Sequence, residues 1–461
     1  MPEQEPVFWP IDRLVQAFRD HELSPVEVTQ EFLTRIEQFD DQLHTYLSIS
    51  PDLALRQARE AEAAYRSGEA TPPLLGVPLS IKDLFDVEGE PTTLGSRAME
   101  STIADRDSHA VSLLRAAGAT FLGKSNTAEF GQSATTANKL GPECGNPWDP
   151  RRTPGGSSGG SAAGVAAGLA TGSLGSDGGG SIRIPAAMCG LVGIKPTWSE
   201  LPKGDAFRAM TRFVCAGPIT RTVADARALL SVQLQRSLES PKRSRPLRIA
   251  WSPNPEGRPI EAGIQVATQA AIVAMSQQGH VVEQIELPIA GWPDAFGAPV
   301  LADEWQYRGQ LLDEFSDELT SYVRKGIEAG RSISQADVDV ALAEQALLRT
   351  AIDNVFADFD VIICPTTAAV AFPFRQRPLI IDNQEVDPLW GAFPFTAPFN
   401  VTGSPAASVP VGLSEGLPVG LQVVGPHNRE DLVLDVCAEV EALMSFPNDE
   451  MVRRWSGAST H

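Results

Sequence analysis

The spacing of hydrophobic positions changes several times along the chain, and each change predicts a change of element. Over the first 70 residues the spacing is helical. Ile11, Leu14, Val15 and Phe18 share one face, and Val28, Phe32, Leu33 and Ile36 share another. Between them, "SPVE" (24–27) supplies a cap serine, a proline at the first helical position and a reciprocal glutamate. An alanine-rich helix is expected from about Leu53 to Arg66. From about 74 to 230 the pattern alternates. Short apolar runs ("VPLSI", "ATFLG") are separated by helical stretches ("SHAVSLLRAAG", "VADARALLSV"), which predicts a sheet wrapped by helices. Glycine and serine are dense over 155–181, yet "SAAGVAAGLA" (161–170) predicts a closely packing small-residue helix, not a linker.

Beyond this, "RSLESPKRSRP" (236–246) reads as a surface connection. It leads to a strand ("LRIAW", 247–251), a helix (about 263–278), a strand ("HVVEQIEL", 280–287) and a mainly helical segment at about 300–357. Strands return at "DVIICP" (360–365), "ASVPVG" (407–412) and "PVGLQVVG" (418–425), before a last helix over 430–444. No internal repeat is visible. The expected architecture is a single α/β domain over 1–461, with a central mixed sheet covered on both sides by helices. Within it, 1–70 is an N-terminal helical part, 74–230 the core, 300–357 a divergent helical segment and 358–461 a return to the sheet.

Composition narrows the function classes. The 461 residues are 43% hydrophobic, enough for a large core, and the net charge of −21 argues against a nucleic-acid grip. The basic run "PKRSRPLR" (241–248) reads as solvated. Cys144, Cys189, Cys215, Cys364 and Cys437 are scattered without metal-ligand spacing, as expected of reduced, buried thiols. "MPEQEPVFWPIDRL" lacks a basic start and an apolar stretch, and no run is long and apolar enough to span a membrane. A cytoplasmic protein is the expectation.

Three stretches invite a chemical reading. "GATFLGKS" (118–125) satisfies the phosphate-loop pattern, but its helix precedes it and its middle is an apolar β-type run, so a helix–glycine–strand junction fits better. "GGSSG" (155–159) and "GSSGG" (156–160) satisfy the nucleophile-elbow pattern, but "NPWDPRRTP" (146–154), with three prolines, leaves no room for the strand an elbow requires. The third is a pair of serine–glycine clusters, "PGGSSGGSAAG" (154–164) and "GSDGGGSIRIP" (175–185), with "GVPLSIKD" (76–83) upstream. Ser181 follows three glycines, a setting suited to a nucleophile facing backbone N–H groups. None of the six histidines lies within 70 residues of it.

Taken together, these clusters resemble the amidase signature family. "NPWDPRRTPGGSSGGSAAGVAAGLATGSLGSDGGGSIRIPAAMCGLVGIKPT" (146–197) is similar to that signature almost end to end. "TFLGKSNTAEFG" (120–131), "GPITRTVADA" (217–226), "VIICPTTA" (361–368) and "PFNVTGSPAASVPVG" (398–412) are similar to its flanking segments. The resemblance implies a catalytic set of Lys82, Ser157 and Ser181. Ser181 would attack the amide carbonyl and form an acyl-enzyme, and Ser157, preceded by a cis peptide, would relay the proton to Lys82.

The proton chemistry is independently sound. A free lysine has a pKa of about 10.4 and is no base at neutral pH, but burial lowers that value. Lys82 ends the apolar run "VPLSI" and is expected to be buried. The backbone N–H groups of Gly178, Gly179, Gly180 and Ser181 are the expected oxyanion hole, because glycines let the chain turn without Cβ clashes. Many family members carry a threonine or another larger residue where this chain has Gly178. Asp177 and Arg183 are expected to hold the loop by an ion pair. Lys124 and Lys195 are alternative bases without a catalytic role in the family, and Ser158, Ser161 and Ser176 read as hydrogen-bonding neighbours. The chemistry closes with lysine and backbone donors, so no metal or organic cofactor is expected.

The expected activity is hydrolysis of a small linear carboxamide, releasing ammonia or an amine, by an enzyme that acts alone or as a homodimer. The competing reading is the glutaminase component of a glutamine-dependent tRNA amidotransferase, which shares the signature. Against it, "KGDAFRAMTRFVCAGPITRT" (203–222) departs from the serine-rich segment typical of those proteins. For the substrate, Trp390, Phe393 and Phe395 in "PLWGAFPFTAPFN" (388–400) are candidates to line an apolar acyl pocket, with Trp305 and Tyr307 as caps.

Overall fold

The computed structural model describes residues 5–68, 71–199, 212–239 and 245–456. The expected surface connection at 236–246 and the basic run at 241–248 therefore lie partly outside the described residues, as does the divergent segment 203–222. The strands are β1 (Tyr46–Ile49), β2 (Pro78–Lys82), β3 (Thr120–Ser125), β4 (Gly172–Asp177), β5 (Val192–Lys195), β6 (Cys215–Thr220), β7 (Arg248–Trp251), β8 (Val281–Gln284), β9 (Val361–Pro365), β10 (Ile380–Ile381), β11 (Gln384–Glu385), β12 (Ala406–Ser414) and β13 (Leu417–Val424). Eleven of them form one sheet in the order β1-β3-β2-β4-β6-β5-β12-β13-β9-β7-β8, while β10 and β11 make a separate ribbon. The sheet is mixed, as expected. β3, β2 and β4 run parallel, β6, β5, β12 and β13 alternate, and β9, β7 and β8 are parallel again.

The helices are α1 (Ile11–Arg19), α2 (Pro25–Leu43), α3 (Pro51–Ser67), α4 (His109–Ala116), α5 (Gly159–Ala166), α6 (Arg183–Cys189), α7 (Val223–Gln233), α8 (Ala262–Gln277), α9 (Trp292–Arg308), α10 (Leu311–Phe315), α11 (Ser321–Gly330), α12 (Gln335–Asp358), α13 (Pro398–Val401), α14 (Glu430–Leu443) and α15 (Asn448–Trp455). At the start of α2, Ser24 caps as expected, accepting from the N–H of Val26 and Glu27, and Pro25 is the first helical residue. The reciprocal partner differs: the Ser24 hydroxyl donates to Glu62 of α3 (2.6 Å) and so ties two helices together. Among the described residues no helix is long and apolar enough to cross a membrane.

Three elements depart from the sequence expectation. β1 lies within the N-terminal part expected to be helical; it is only four residues long and takes its place by antiparallel pairing with β3. The divergent helical segment begins at Trp292, not near 300, because Pro293 fits the first turn of α9. A further helix, α15, follows the one expected to be last and buries Met451 and Trp455 against the main core.

The sheet is nearly all buried. β2, β3, β4, β9 and β13 are buried along their whole length; β9 and β13 are accordingly near-continuous apolar runs, whereas β4 ("GSLGSD") buries small and polar residues that lead into the loop of Ser181. The small residues of α5 serve close approach. A Cβ on Gly160 would come within 2.5 Å of the backbone at Asn126 and Thr45, which no larger residue allows. "GATFLGKS" is the expected helix–glycine–strand junction: α4 ends, Gly118 turns at φ +87°, and β3 follows.

Candidate active site

Parallel pairing of β2 and β4 fixes the centre of the site. Register matches Leu79 with Gly172 and Ile81 with Leu174, so the carboxyl ends of both strands fall together. Lys82 ends β2, and Ser176 and Asp177 end β4. Lys82 is fully buried, and its Nζ lies 2.6 Å from Ser157 Oγ and 2.9 Å from Ser176 Oγ. Burial holds its pKa well below the ordinary lysine value, with the nearby Asp177 carboxylate opposing that shift only in part. Ser157 is buried too, and the peptide joining it to Gly156 is cis.

Ser181 lies in the loop between β4 and α6. Its carbonyl accepts from the N–H of Ser158 (3.2 Å), which draws the two serine clusters together across 23 positions of sequence. Its side chain is partly exposed and faces a cavity of about 510 Å³. Among the described residues, Ser181 Oγ makes no hydrogen bond, so Lys82 and Ser157 are joined directly while Ser181 stands beside them at the cavity.

The loop is held by Asp177. Its carboxylate accepts from Arg183 Nε (2.9 Å) and Nη2 (2.8 Å), Asn400 Nδ2 (2.9 Å) and the N–H groups of Gly180 (2.8 Å) and Ile182 (3.2 Å). Arg183 and Asp177 are both fully buried. Burial pushes the Asp177 carboxyl upward, but the Arg183 guanidinium and these hydrogen bonds outweigh it and hold the group far below the usual range. The expected ion pair is therefore present, and Arg183 extends it to Thr396, Gln422 and Asn400.

The same pairing changes the expected oxyanion set. The Gly180 N–H is taken by Asp177, whereas those of Gly178, Gly179 and Ser181 have no protein acceptor among the described residues. Gly180 has a geometric role instead. It sits at φ +126°, and a Cβ there would overlap the hydroxyl of Thr396, which itself donates to the Gly179 carbonyl (2.7 Å).

The alternative lysines are committed elsewhere. Lys124 pairs with Asp83 (2.9 Å) and donates to the Pro91 carbonyl and Thr92. Lys195 donates to the Pro196 carbonyl (2.7 Å) and lies 3.9 Å from Cys215 Sγ. Ser158 donates to the Ser176 carbonyl, and Ser161 bonds Ser125, as expected of neighbours.

Of the pocket aromatics expected from sequence, Trp390 lines the cavity, and its ring comes within 3.1 Å of where a Gly179 Cβ would stand. Phe393 and Phe395 do not line it. Phe393 packs on Phe372 in the core, and Phe395 is buried with its carbonyl bonded to Gln422. Trp305 faces Arg331, and Tyr307 borders a different cavity. The apolar wall comes mainly from α9, through Phe296, Val300 and Leu301, together with Ile184 and Leu389. Phe296 meets Trp390 edge to face at 5.6 Å. The sequence signal for this wall is the apolar face inside "WPDAFGAPVLADEW" (292–305), masked by an internal proline, Pro299.

Comparisons with known proteins show the family and the fold. The Amidase family model matches residues 27–434. An acylamidase from Rhodococcus erythropolis is 31% identical over 475 residues, covering 98% of this chain and 100% of that protein. The A subunit of the glutamyl-tRNA(Gln) amidotransferase of Thermoanaerobacter pseudethanolicus is 32% identical over 480 residues, covering 95% and 96%. The solved structure of a bacterial aryl acylamidase of the amidase signature enzymes superposes with a TM-score of 0.87 at 29% identity, covering 99% of this chain and 100% of that one. With its signature serines and lysine gathered at the carboxyl edge of a mixed sheet, this chain belongs to the amidase signature family.

Proposed function

We propose that the protein hydrolyses the C–N bond of a small linear carboxamide through an acyl-enzyme on Ser181. The observation that carries the reading is the buried contact of 2.6 Å between Lys82 Nζ and Ser157 Oγ, where burial lowers the Lys82 pKa well below the ordinary lysine value and so favours the neutral amine. Neutral Nζ accepts the Ser157 hydroxyl proton while Ser157 Oγ accepts that of Ser181. The freed Ser181 Oγ attacks the carbonyl carbon, and the oxygen that becomes negative is met by the N–H groups of Gly178, Gly179 and Ser181. Collapse breaks the C–N bond, and the proton returns from Lys82 through Ser157 to the leaving nitrogen. Water then repeats the sequence on the acyl group and releases the acid. The relay requires Ser181 Oγ to come within hydrogen-bond reach of Ser157 Oγ when substrate fills the cavity, a tightening common to catalytic hydrogen bonds.

The test is trapping. Brief reaction with a chromogenic amide or ester, followed by mass spectrometry, is expected to place the acyl group on Ser181. An adduct on Ser157, or full activity in Ser181→Ala, overturns the assignment. The transamidase reading draws support from the amidotransferase relative, but the cavity opposes it. A glutamine brings an α-ammonium and a carboxylate, whereas the wall beside Ser181 is mainly Phe296, Val300, Leu301 and Trp390, and its charged groups are Glu304, already paired with Arg308, and the exposed Lys325. Glutaminase activity that rises with a tRNA-binding partner, with no turnover of apolar amides, would reverse that preference.

A further inference from the structure

The wall of the Ser181 cavity is largely apolar, with Ser133, Tyr322 and the exposed Lys325 also along it, and two further polar side chains reach it from different parts of the chain, each with a buried atom that has no partner among the described residues. Glu304 of α9 is 1% exposed, and its Oε2 has no hydrogen-bond partner among the described residues. Its other oxygen pairs with Arg308, one helical turn on. Gln132 lies on the segment after β3, and its buried Nε2 is likewise unpartnered. Both line the cavity that Ser181 faces. Leaving one buried acceptor and one buried donor unmade costs about 1–3 kcal/mol each, so such groups normally have a partner that the isolated chain lacks.

Neither side chain is free to wander. Arg308 rests on the ring of Phe130 at 4.4 Å, which ties the Glu304 pair to the Gln132 segment. That segment is fixed to the start of α11, where the Glu129 carboxylate accepts from the Thr320 N–H (2.7 Å) and the Glu129 N–H donates to the Tyr322 hydroxyl (2.7 Å). The amide oxygen of Gln132 lies against Gly326, where a Cβ would stand 3.4 Å away.

Resting on the amidase reading of Ser181, we propose that Gln132 and Glu304 select substrates with a neutral hydrogen-bonding group, such as a hydroxyl, set beyond an apolar spacer. The spacer lies on Phe296, Val300 and Trp390; the distal group donates to Glu304 Oε2 and accepts from Gln132 Nε2. A neutral group fits better than an ammonium because Arg308 already balances the Glu304 charge. A carboxylate is disfavoured beside Glu304 Oε2, and the one lysine of the lining, Lys325, is exposed.

The experiment compares kcat/KM for matched probes: para-hydroxyphenylpropionamide against phenylpropionamide, and para-hydroxyacetanilide against acetanilide, each also with a para-aminomethyl analogue. A preference of about tenfold or more for the hydroxyl member of at least one pair is expected, expressed mainly in KM. In Gln132→Leu and in Glu304→Gln that ratio falls toward one, whatever the absolute rates. Gln132→Leu keeps the test open should Glu304→Gln, which strips Arg308 of its charge partner, fold poorly. Equal turnover of hydroxyl and parent probes, an unchanged ratio in Gln132→Leu, or a preference for the aminomethyl probes overturns the proposal while leaving the amidase reading standing. Absence of turnover of every probe by the wild-type protein counts against both.

Discussion

A lysine can serve as a base only where its charge is costly, and Lys82 is such a case: fully buried, at the end of a strand, with two hydroxyls in reach. Its pKa is lowered by burial, so activity carried by the neutral amine is expected to rise with pH through that lowered value and then level off. A kcat/KM profile with no such limb, or one unchanged in Lys82→Arg, counts against Lys82 as the base. The same shift has a stability consequence. Between the lowered folded value and about 10.4, the unfolded chain holds the lysine proton and the folded chain does not, so wild-type stability rises with pH in that window. Lys82→Met has no such proton to lose. Thermal melts across this window are therefore expected to show the wild type gaining on Lys82→Met as pH rises. Ser181→Ala is expected to lower kcat by roughly 10⁴-fold or more with little change in melting temperature, since its Oγ makes no hydrogen bond among the described residues.

Elements sort the aromatic residues that sequence grouped together. Trp390, Phe393 and Phe395 stand within six positions of one another, but only Trp390 points to the cavity formed with α9. Trp390→Ala is expected to raise KM for apolar amides about tenfold with a modest loss of stability. Phe393→Ala instead leaves a core cavity and costs about 3–5 kcal/mol, with the selectivity among amides unchanged. Urea melts and a substrate panel on the two variants separate these outcomes. In the loop after β4, Gly180→Ala meets both a positive φ and the Thr396 hydroxyl. It is expected to lose activity through displacement of the neighbouring N–H groups, and rates near wild type would contradict that geometry.

At the scale of the whole molecule, the Asp177–Arg183 pair joins β4 and α6 to Thr396, Asn400 and Gln422 from the last hundred residues. Asp177→Asn leaves a fully buried guanidinium without its charge partner and is expected to cost about 3–5 kcal/mol. The Asp177 carboxyl is depressed, so its contribution is complete above the ordinary carboxylate range and is lost as pH falls toward the folded value; the wild-type advantage over Asp177→Asn should shrink on acidification. All five cysteines are buried and burial raises the thiol pKa of each. A native thiol titration is expected to find almost none reactive and a denatured one to find five.

What the sequence determined by itself was the family signature and most of the frame. Period and punctuation marked the strands around the signature, because continuous apolar runs bounded by glycine and proline have few other uses in a folded chain. The serine–glycine clusters and Lys82 pointed to the proposed reacting groups through their resemblance to a known signature. Sequence also rejected the phosphate loop, since "ATFLG" reads as a strand, and a strand it is. Only the tertiary structure decided which partners meet. The Gly180 N–H was lost to Asp177 because the carboxylate must be satisfied once it is buried. The apolar wall of the cavity came mainly from α9, and Gln132 and Glu304, residues far apart in the chain, were brought to the same cavity. Periodicity reports which face of an element is buried. It carries no information about which distant element covers that face, because that depends on how the whole sheet and its helices pack.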